Sequence, residues 1–136
     1  MEKLKFSIPI TVRVHDLNYG NHVGYQNYLV YFQEARIAYL KQFGFSEGDI
    51  GGCRMLISSA ECRYKKELYL GDEITVGCRV SQLKPKMFTM DYRIDRAGKT
   101  CALGTTTQVC VAPGEEKIAV LPPEFTAAVK AFEGPV

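Results

Sequence analysis

Hydrophobic and polar residues alternate at the beginning of the chain. Apolar side chains share one parity over five positions: Phe6, Ile8, Ile10, Val12 and Val14. The residues between them are mostly polar, and this two-residue period predicts a β-strand over residues 3–14. Pro9 has no backbone N–H to donate to a neighbouring strand. We therefore expect the strand to lie at a sheet edge or to carry a bulge.

The hydrophobic period then changes to the three- and four-residue spacing of a helix. The apolar positions are Tyr25, Tyr28, Leu29, Phe32, Ala35, Tyr39, Leu40 and Phe43. This spacing predicts a long helix over residues 23–43, and Gly44 is typical of a helix C-terminus. Val30 and Ile37 fall on the opposite side. A helix that is apolar on nearly all sides is expected to be enclosed by protein.

The rest of the chain reads mostly as strands. Four long apolar segments, 55–68, 72–83, 88–95 and 100–112, are separated by short turns rich in glycine, proline and charge. A short helix is predicted over residues 123–132. Together these elements predict a single α+β domain over residues 1–136, in which a curved antiparallel sheet of about five strands surrounds one central helix. The exposed sheet edges favour dimerisation.

Composition narrows the class of protein. The net charge of +2 in 136 residues provides no strongly basic face, so we expect no nucleic-acid partner. No apolar run approaches the roughly 20 residues of a membrane span, and the N-terminal residues lack the apolar core of a signal peptide. The five cysteines form no CxxC pair and lie far in sequence from the two histidines. We therefore expect a cytoplasmic protein with reduced thiols and no metal site.

The polar loop at 15–22 is the most promising place for chemistry, because it runs directly into the predicted helix. The first backbone N–H groups of a helix have no partner within it, and the helix dipole places partial positive charge there. Such an end can bind or polarise an oxygen atom that carries negative charge. The loop and the first helical turn supply four candidate residues: Asp16, Asn18, His22 and Tyr25.

Several short motifs occur in an order and spacing typical of one family. They are Arg13, Asp16, His22-Val23, Glu34-Ala35-Arg36, Tyr64, Leu70-Gly71-Asp72-Glu73, Lys84-Pro85-Lys86-Met87-Phe88 and Leu121-Pro122-Pro123-Glu124-Phe125. With them the chain resembles the hotdog-fold thioesterases, specifically the 4-hydroxybenzoyl-CoA thioesterase-like family. The resemblance covers almost the whole chain.

The resemblance implies a hotdog fold and an acyl-CoA thioesterase that needs no cofactor apart from the coenzyme A of its substrate. It also implies a homodimer or homotetramer. It places the oxyanion-binding N–H at Tyr25 and coenzyme A contacts at Lys84 and Lys86. One departure is important, because the family's catalytic aspartate aligns with Asn18. An amide can serve neither as a nucleophile nor as a general base.

Each candidate also has a structural interpretation. Asn18 orients water or the thioester, or it closes a turn beside Gly20. His22 accepts a proton, or it packs against the helix start. Asp16 replaces the missing base, or it pairs with Arg13. Tyr25 provides its N–H to the substrate, or it packs in the core.

Two further sets of charged residues are weaker candidates for catalysis or for binding coenzyme A. Glu34 lies about 180° around the helix from Tyr25, so a salt bridge is the simpler role for its carboxylate. Lys65 and Lys66 could meet the phosphates of coenzyme A, and so could the lysines of the 84–86 turn. A solvated surface explains all four lysines equally well.

Three functions follow for comparison. The first is hydrolysis of an acyl- or aryl-CoA, in which the acyl group lies in an apolar slot beside the helix at a subunit interface. The second is a non-catalytic protein that binds acyl-CoA or acyl-carrier protein, which the replacement by Asn18 favours. The third is a dehydratase that uses His22 and Glu34 on 3-hydroxyacyl thioesters. The acyl group itself is not predicted.

Overall fold

The computed structural model describes residues 4–136, so Lys3 at the start of the first predicted strand lies outside the described residues. The elements in chain order are β1 (Phe6–Thr11), α1 (Tyr25–Lys41), β2 (Arg54–Tyr64), β3 (Glu73–Leu83), β4 (Phe88–Arg96), β5 (Lys99–Val111), β6 (Ile118–Ala119) and α2 (Pro123–Glu133). A single 3₁₀ turn, Val14–Asp16, precedes the polar loop. The predicted α+β class with two helices is confirmed.

One antiparallel sheet contains all six strands, in the order β1-β3-β4-β5-β2, with the two-residue β6 paired to β5. β1 is an edge strand, as Pro9 predicts, and β2 is the edge at the other end. Bulges interrupt the pairing of β2, β3 and β4, and such bulges bend strands and increase their twist. The sheet therefore matches the prediction, with one short strand added.

Helix α1 has 17 residues and is shorter than the predicted 23–43. It begins late because the N–H of Val23 donates to the Leu68 carbonyl at 2.8 Å, while Gly24 keeps an extended backbone as the N-cap. It ends at Lys41, and the chain then turns through Gly44, whose φ of +83° is readily adopted by glycine. The predicted stop is confirmed, whereas a long helix is not.

The buried face of α1 packs closely on the sheet. Phe32 stacks on Tyr92 of β4 with 4.7 Å between ring centroids, and both side chains are fully buried. Gly104 of β5 makes this approach possible, because a Cβ there would overlap the ring of Phe32. The core therefore depends on a glycine inside a strand, which is a known use of that residue where two elements come close.

The opposite face of α1 is open in the single chain. Leu29, Val30 and Ile37 are 38%, 43% and 45% exposed. The prediction of a helix enclosed on nearly all sides is therefore wrong for one chain by itself, because the sheet covers only one side. The neighbouring edge strand β2 is also exposed along most of its length.

The cysteines behave as predicted. All five are free thiols, and Cys78, Cys101 and Cys110 are buried among apolar neighbours. Burial raises the pKa of the Cys78 thiol, which keeps it protonated and unreactive. These residues serve as small hydrophobic side chains.

Candidate active site

Backbone hydrogen bonds hold the polar loop against the segment that follows β2. The N–H of Asn18 donates to the His22 carbonyl at 2.8 Å, and the N–H of Gly24 donates to the Asp16 carbonyl at 3.1 Å. The pairing of Val23 with Leu68 joins the loop to residues 65–69. As a result, the start of α1 lies beside a second stretch of chain that sequence spacing alone does not indicate.

The start of α1 has an unpartnered donor. Gly24 provides no side-chain cap, and within residues 4–136 the backbone N–H of Tyr25 has no hydrogen-bond acceptor. The Tyr25 side chain is 71% exposed, so the core-packing interpretation does not apply to it. The N–H is available to a ligand oxygen, with the partial positive charge of the helix end behind it.

A cleft opens at this helix start. It has a volume of about 240 Å³ and is lined by His22, Val23, Tyr25, Tyr28, Tyr64, Lys65, Lys66 and Glu67. The exposure of Tyr25 and Tyr64 shows that the cleft reaches solvent. The structure thus brings together two of the four predicted catalytic residues, His22 and Tyr25, at an accessible site.

Tyrosine side chains form a rigid wall of the cleft. The Tyr64 hydroxyl donates to the Tyr25 carbonyl at 3.1 Å, and the Tyr28 hydroxyl donates to the Lys66 carbonyl at 3.1 Å. The rings of Tyr28 and Tyr64 meet edge to face at 4.9 Å. Burial raises the pKa of Tyr28 to about 12, with smaller effects from Cys101, Cys62 and Glu67. These phenols are neutral at physiological pH and fix the shape of the cleft.

His22 is half-buried, and one ring nitrogen is available for chemistry. Its Nδ1 lies 3.2 Å from the Val23 carbonyl oxygen, which can only accept a hydrogen bond. This contact favours a proton on Nδ1, which leaves a lone pair on Nε2. The geometry is that of a proton acceptor.

Asn18 is exposed and closes a turn, as its structural interpretation predicts. Its Oδ1 accepts a hydrogen bond from the Gly20 N–H at 2.8 Å. Gly20 separates it from His22, because a Cβ on Gly20 would lie 3.4 Å from Asn18 Oδ1 and 3.3 Å from His22 Nε2. Asn18 therefore flanks the site, although it does not line the cleft. A role in catalysis stays a prediction.

The Asp16 side chain is occupied by structural contacts. It is 3% exposed, and its Oδ2 accepts hydrogen bonds from the Arg13 N–H, the Arg13 Nε and the Tyr31 hydroxyl at 3.0, 3.2 and 2.8 Å. Burial opposes ionisation, but these donors outweigh it and lower the pKa of Asp16. A buried carboxylate with three donors is a poor base. The structure places Asp16 in the alternative pairing with Arg13, and a catalytic role for it stays a prediction.

Glu34 and the hairpin lysines are also outside the cleft. Glu34 forms the predicted salt bridge, here with Arg13 at 2.8 Å. Lys84 and Lys86 are in the turn after β3, whereas the cleft lies near the start of that strand. The 11 residues of β3 extend about 35 Å. One chain therefore does not bring these lysines to its own cleft.

Sequence reasoning missed two cleft residues and underestimated two others. Tyr64 and Glu67 were not proposed as site residues, and Lys65 and Lys66 were judged weak, yet all four line the cleft. Their common signal is a polar stretch within the last residues of the predicted strand 55–68, just before the turn at 70–72. Only the pairing with the 18–24 loop, which is non-local, shows that this stretch faces the helix start.

A second groove lies between α1 and β2 and has no lining residue in common with the cleft. It lies further towards the C-terminus of α1 than the cleft and nearer the start of β2. Its volume is about 300 Å³. The lining residues are Leu29, Val30, Gln33, Arg36, Ile57, Ala60 and Thr106. The walls are mostly apolar. Arg36 and Thr106 at its base are held in a buried chain of hydrogen bonds through Tyr92.

Residues 4–136 contain neither a candidate metal site nor a candidate membrane-spanning helix. No three histidine, cysteine, aspartate or glutamate side chains come together there in a way that could hold a metal ion. Neither of the helices in this part of the chain combines the length and hydropathy needed to cross a bilayer.

Comparison with known proteins gives consistent results. The family model of the thioesterase-like superfamily matches residues 12–129. The acyl-CoA thioesterase YbgC of Haemophilus influenzae is 27% identical over 126 residues, which cover 90% of this chain and 93% of that protein.

Two solved structures have the same fold. The structure of a Thermus thermophilus thioesterase complexed with coenzyme A and Zn is 27% identical, with a TM-score of 0.88 and coverage of 100% of this chain and 99% of that one. Slr0204, a 1,4-dihydroxy-2-naphthoyl-CoA thioesterase from Synechocystis, is 24% identical, with a TM-score of 0.86 and coverage of 96% and 98%. The likeness to Slr0204 supports the fold alone.

Proposed function

This chain belongs to the thioesterase-like superfamily, and on that basis we propose that it is an acyl-CoA thioesterase. It would hydrolyse the thioester of an acyl- or aryl-CoA to the free acid and coenzyme A. The observation that carries the proposal is the shared cleft of His22 and Tyr25, where a free acceptor nitrogen and an unpartnered N–H donor meet at a helix start.

The proposed reaction uses both groups on one thioester. The carbonyl oxygen accepts a hydrogen bond from the Tyr25 N–H, which stabilises the negative charge that develops as water attacks the carbonyl carbon. His22 Nε2 takes the proton of that water. The C–S bond then breaks, and the coenzyme A thiolate receives the proton from His22. Asn18 is proposed to hold the water or the thioester from the edge of the site.

The groove beside α1 is proposed to hold the acyl group. Its residue Leu29 follows Tyr28 of the cleft along α1, and Leu29, Val30 and Ile57 provide apolar walls. Such walls suit a fatty or an aryl group. The particular acyl group, including the 4-hydroxybenzoyl group of the branch that the sequence resembles, is left open by these contacts.

Coenzyme A is proposed to lie at the mouth of the cleft, where Lys65 and Lys66 provide positive charge. The proposal is supported by the Thermus relative, which is a thioesterase complexed with coenzyme A. If Lys84 and Lys86 also contact phosphates, they must come from another subunit, because they are remote from the cleft of their own chain. This requirement favours a homo-oligomer.

The exposed surface supports the same assembly. The outer edge of β2 has no strand beside it within residues 4–136, and its exposed Leu56 and Ile57 adjoin the open face of α1. Unpaired edges with apolar side chains readily pair with another chain. We propose that a second copy covers β2 and the open face of α1. The groove would then lie at the subunit interface.

A panel of acyl-CoA thioesters, scored by release of free thiol, tests the function. We expect turnover of at least one member, with His22→Ala and Asn18→Ala each lowering kcat tenfold or more. His15→Ala is the matched control, because His15 is the other histidine and its side chain is 72% exposed. Tight binding without thiol release would favour the non-catalytic alternative. Ultraviolet absorbance of an enoyl product would favour the dehydratase.

A further inference from the structure

The proposed mechanism leaves the cleft without a loop carboxylate. Asp16 is buried under three hydrogen-bond donors, and the residue at the family's aspartate position is Asn18. The cleft nevertheless has one carboxylate among its lining residues in the described chain, namely Glu67. Its position follows from the pairing between the loop and the segment after β2.

The pairing places Glu67 and His22 on the same face. His22 forms an antiparallel bridge with Tyr69, and the 2.8 Å hydrogen bond from the Val23 N–H to the Leu68 carbonyl fixes this register. Side chains two residues apart on a strand share a face, so Glu67 is the diagonal neighbour of His22, with a backbone separation of about 7–8 Å. The register puts Gly24 opposite Glu67. The side-chain amide of Gln26 lies over Gly24, because a Cβ there would be 2.8 Å from Gln26 Oε1 and 2.9 Å from Gln26 Nε2.

Local contacts hold the carboxylate in place. Glu67 Oε2 accepts a hydrogen bond from the Tyr69 hydroxyl at 2.8 Å, and Arg96 Nη1 donates to the Glu67 carbonyl oxygen at 3.0 Å. The first contact orients the side chain and the second fixes the backbone. Oε1 accepts no hydrogen bond from the described residues, and Lys65 and Lys66 line the same cleft.

We propose that Glu67 is a catalytic carboxylate that binds the attacking water together with His22. The inference rests on the proposed thioesterase function. Water has two hydrogen atoms, and because His22 and Glu67 line one cleft, one water can contact both side chains. One hydrogen is donated to His22 Nε2, which takes the proton during attack. The other is donated to Glu67, which aims the oxygen lone pair at the thioester.

The negative charge of Glu67 would assist catalysis in a second way. When His22 takes the proton, its ring becomes positively charged, and a nearby carboxylate stabilises that charge. Glu67 itself keeps its protonation state throughout. The proton passes from water to His22 and then to the leaving thiolate, so the reaction needs no other co-reactant.

Variants of Glu67 test the inference on a thioester that the wild type hydrolyses. Glu67→Gln keeps an acceptor oxygen but removes the charge, so we expect kcat to fall about 10- to 100-fold, with KM changed less than about twofold. Glu67→Asp retains the charge and should recover part of the loss. Glu73→Gln is the matched control, because Glu73 is an exposed carboxylate that does not line the cleft.

A double variant distinguishes a shared water from separate roles. If Glu67 and His22 act on one water, His22→Ala with Glu67→Gln should be little slower than His22→Ala alone, because groups that act as a unit are not additive. Losses that multiply, or wild-type kcat in Glu67→Gln, would overturn the role of Glu67. In either case an active wild type leaves the thioesterase proposal standing. No thiol release by the wild type on any thioester would overturn both.

Discussion

Asp16 and His22 belong to the same loop, but only His22 keeps an acceptor atom free at the cleft. Oxygen Oδ2 of Asp16 is occupied by Arg13 and Tyr31, whereas the ring of His22 uses one nitrogen and leaves the other open. Chemistry at this site depends on which polar atoms the fold leaves unpaired. Residue type alone does not determine this.

Replacing Asn18 by the aspartate typical of the family tests the role of this single position. Asn18→Asp keeps the oxygen that accepts from the Gly20 N–H and adds negative charge across Gly20 from His22. In the Glu67→Gln background we expect this second change to raise kcat at least about fivefold, because a carboxylate again stabilises the charged imidazole. Thiol release under saturating substrate is the measurement.

The companion variant for that test is Asn18→Ala in the same background. It removes the amide without adding charge, so kcat should stay low. Equal kcat in the two double variants would contradict a position of residue 18 next to the reacting groups.

The sequence allowed His22 and Tyr25 to be found because each follows from local information. A histidine beside a helix start and a first-turn N–H need no knowledge of the fold. Glu67 could not be found this way, since its relation to His22 depends on the bridge between His22 and Tyr69. Burial of Asp16 was similarly out of reach, because Tyr31 reaches it from the buried face of α1.

At the scale of elements, one residue, Asp16, connects the 3₁₀ turn, the loop and the start of α1 through its carboxylate and its backbone carbonyl. The Asp16 side chain accepts from Arg13 and Tyr31, and its carbonyl oxygen accepts from Asn27 Nδ2 at 2.8 Å as well as from the Gly24 N–H. The helix start is thus held in position by a residue that precedes it in the chain. The unpartnered N–H of Tyr25 depends on this support.

The Asp16→Asn variant tests whether the Asp16 carboxylate stabilises the start of α1, through the pH dependence of the free energy of unfolding. We expect the free energy of unfolding at pH 7 to fall by about 2 kcal/mol, the scale of a buried hydrogen bond to a charged group. The folded pKa of Asp16 is lowered from an ordinary 3.8. Its stabilisation is therefore complete above that value and is lost as pH falls through the lower folded pKa.

Urea unfolding from pH 7 downward measures this effect. The difference between wild type and Asp16→Asn should be constant near neutrality and should shrink below about pH 4. Glu115→Gln, at an exposed turn, should follow the wild type at every pH. If the difference in unfolding free energy persists at low pH, the charge of the Asp16 carboxylate is not the cause of the stabilisation.

Most element positions were predictable because their periods are local, but their ends were not. Helix α1 loses its first predicted residues when Val23 pairs with Leu68, and β2 stops at Tyr64 because the N–H groups of Lys65 and Lys66 both turn to the Cys101 carbonyl. Both ends are decided by partners far along the chain. Gly44, which acts through its own backbone, was placed correctly.

For the whole molecule, the sheet has two different edges. β1 carries Pro9 at one end, whereas β2 at the other is exposed and continues into the open face of α1. The apolar pattern of α1 predicts a helix enclosed by protein. The same pattern fits a helix with one face on its own sheet and the other covered by a second subunit.

Ile57→Glu tests that assembly. A charge at this 41% exposed position on β2 should prevent pairing of two copies, so we expect the mass in solution to fall from an oligomer to a monomer. Light scattering coupled to size-exclusion chromatography measures it. Val120→Glu is the control, since Val120 is 61% exposed outside both β2 and α1. A monomeric wild type, or an unchanged mass in Ile57→Glu, would contradict the proposed interface.

Leu29 and Val30 belong to two surfaces at once, and this affects how the sequence of such a protein can change in evolution. Both side chains wall the groove, and both lie on the open face of α1. If the groove holds the acyl group and a second copy covers this face, a substitution that admits a bulkier acyl group also reshapes the contact between copies. Changes in substrate preference and changes in quaternary arrangement should therefore arise together across descendants of this sequence, with compensating replacements concentrated on β2.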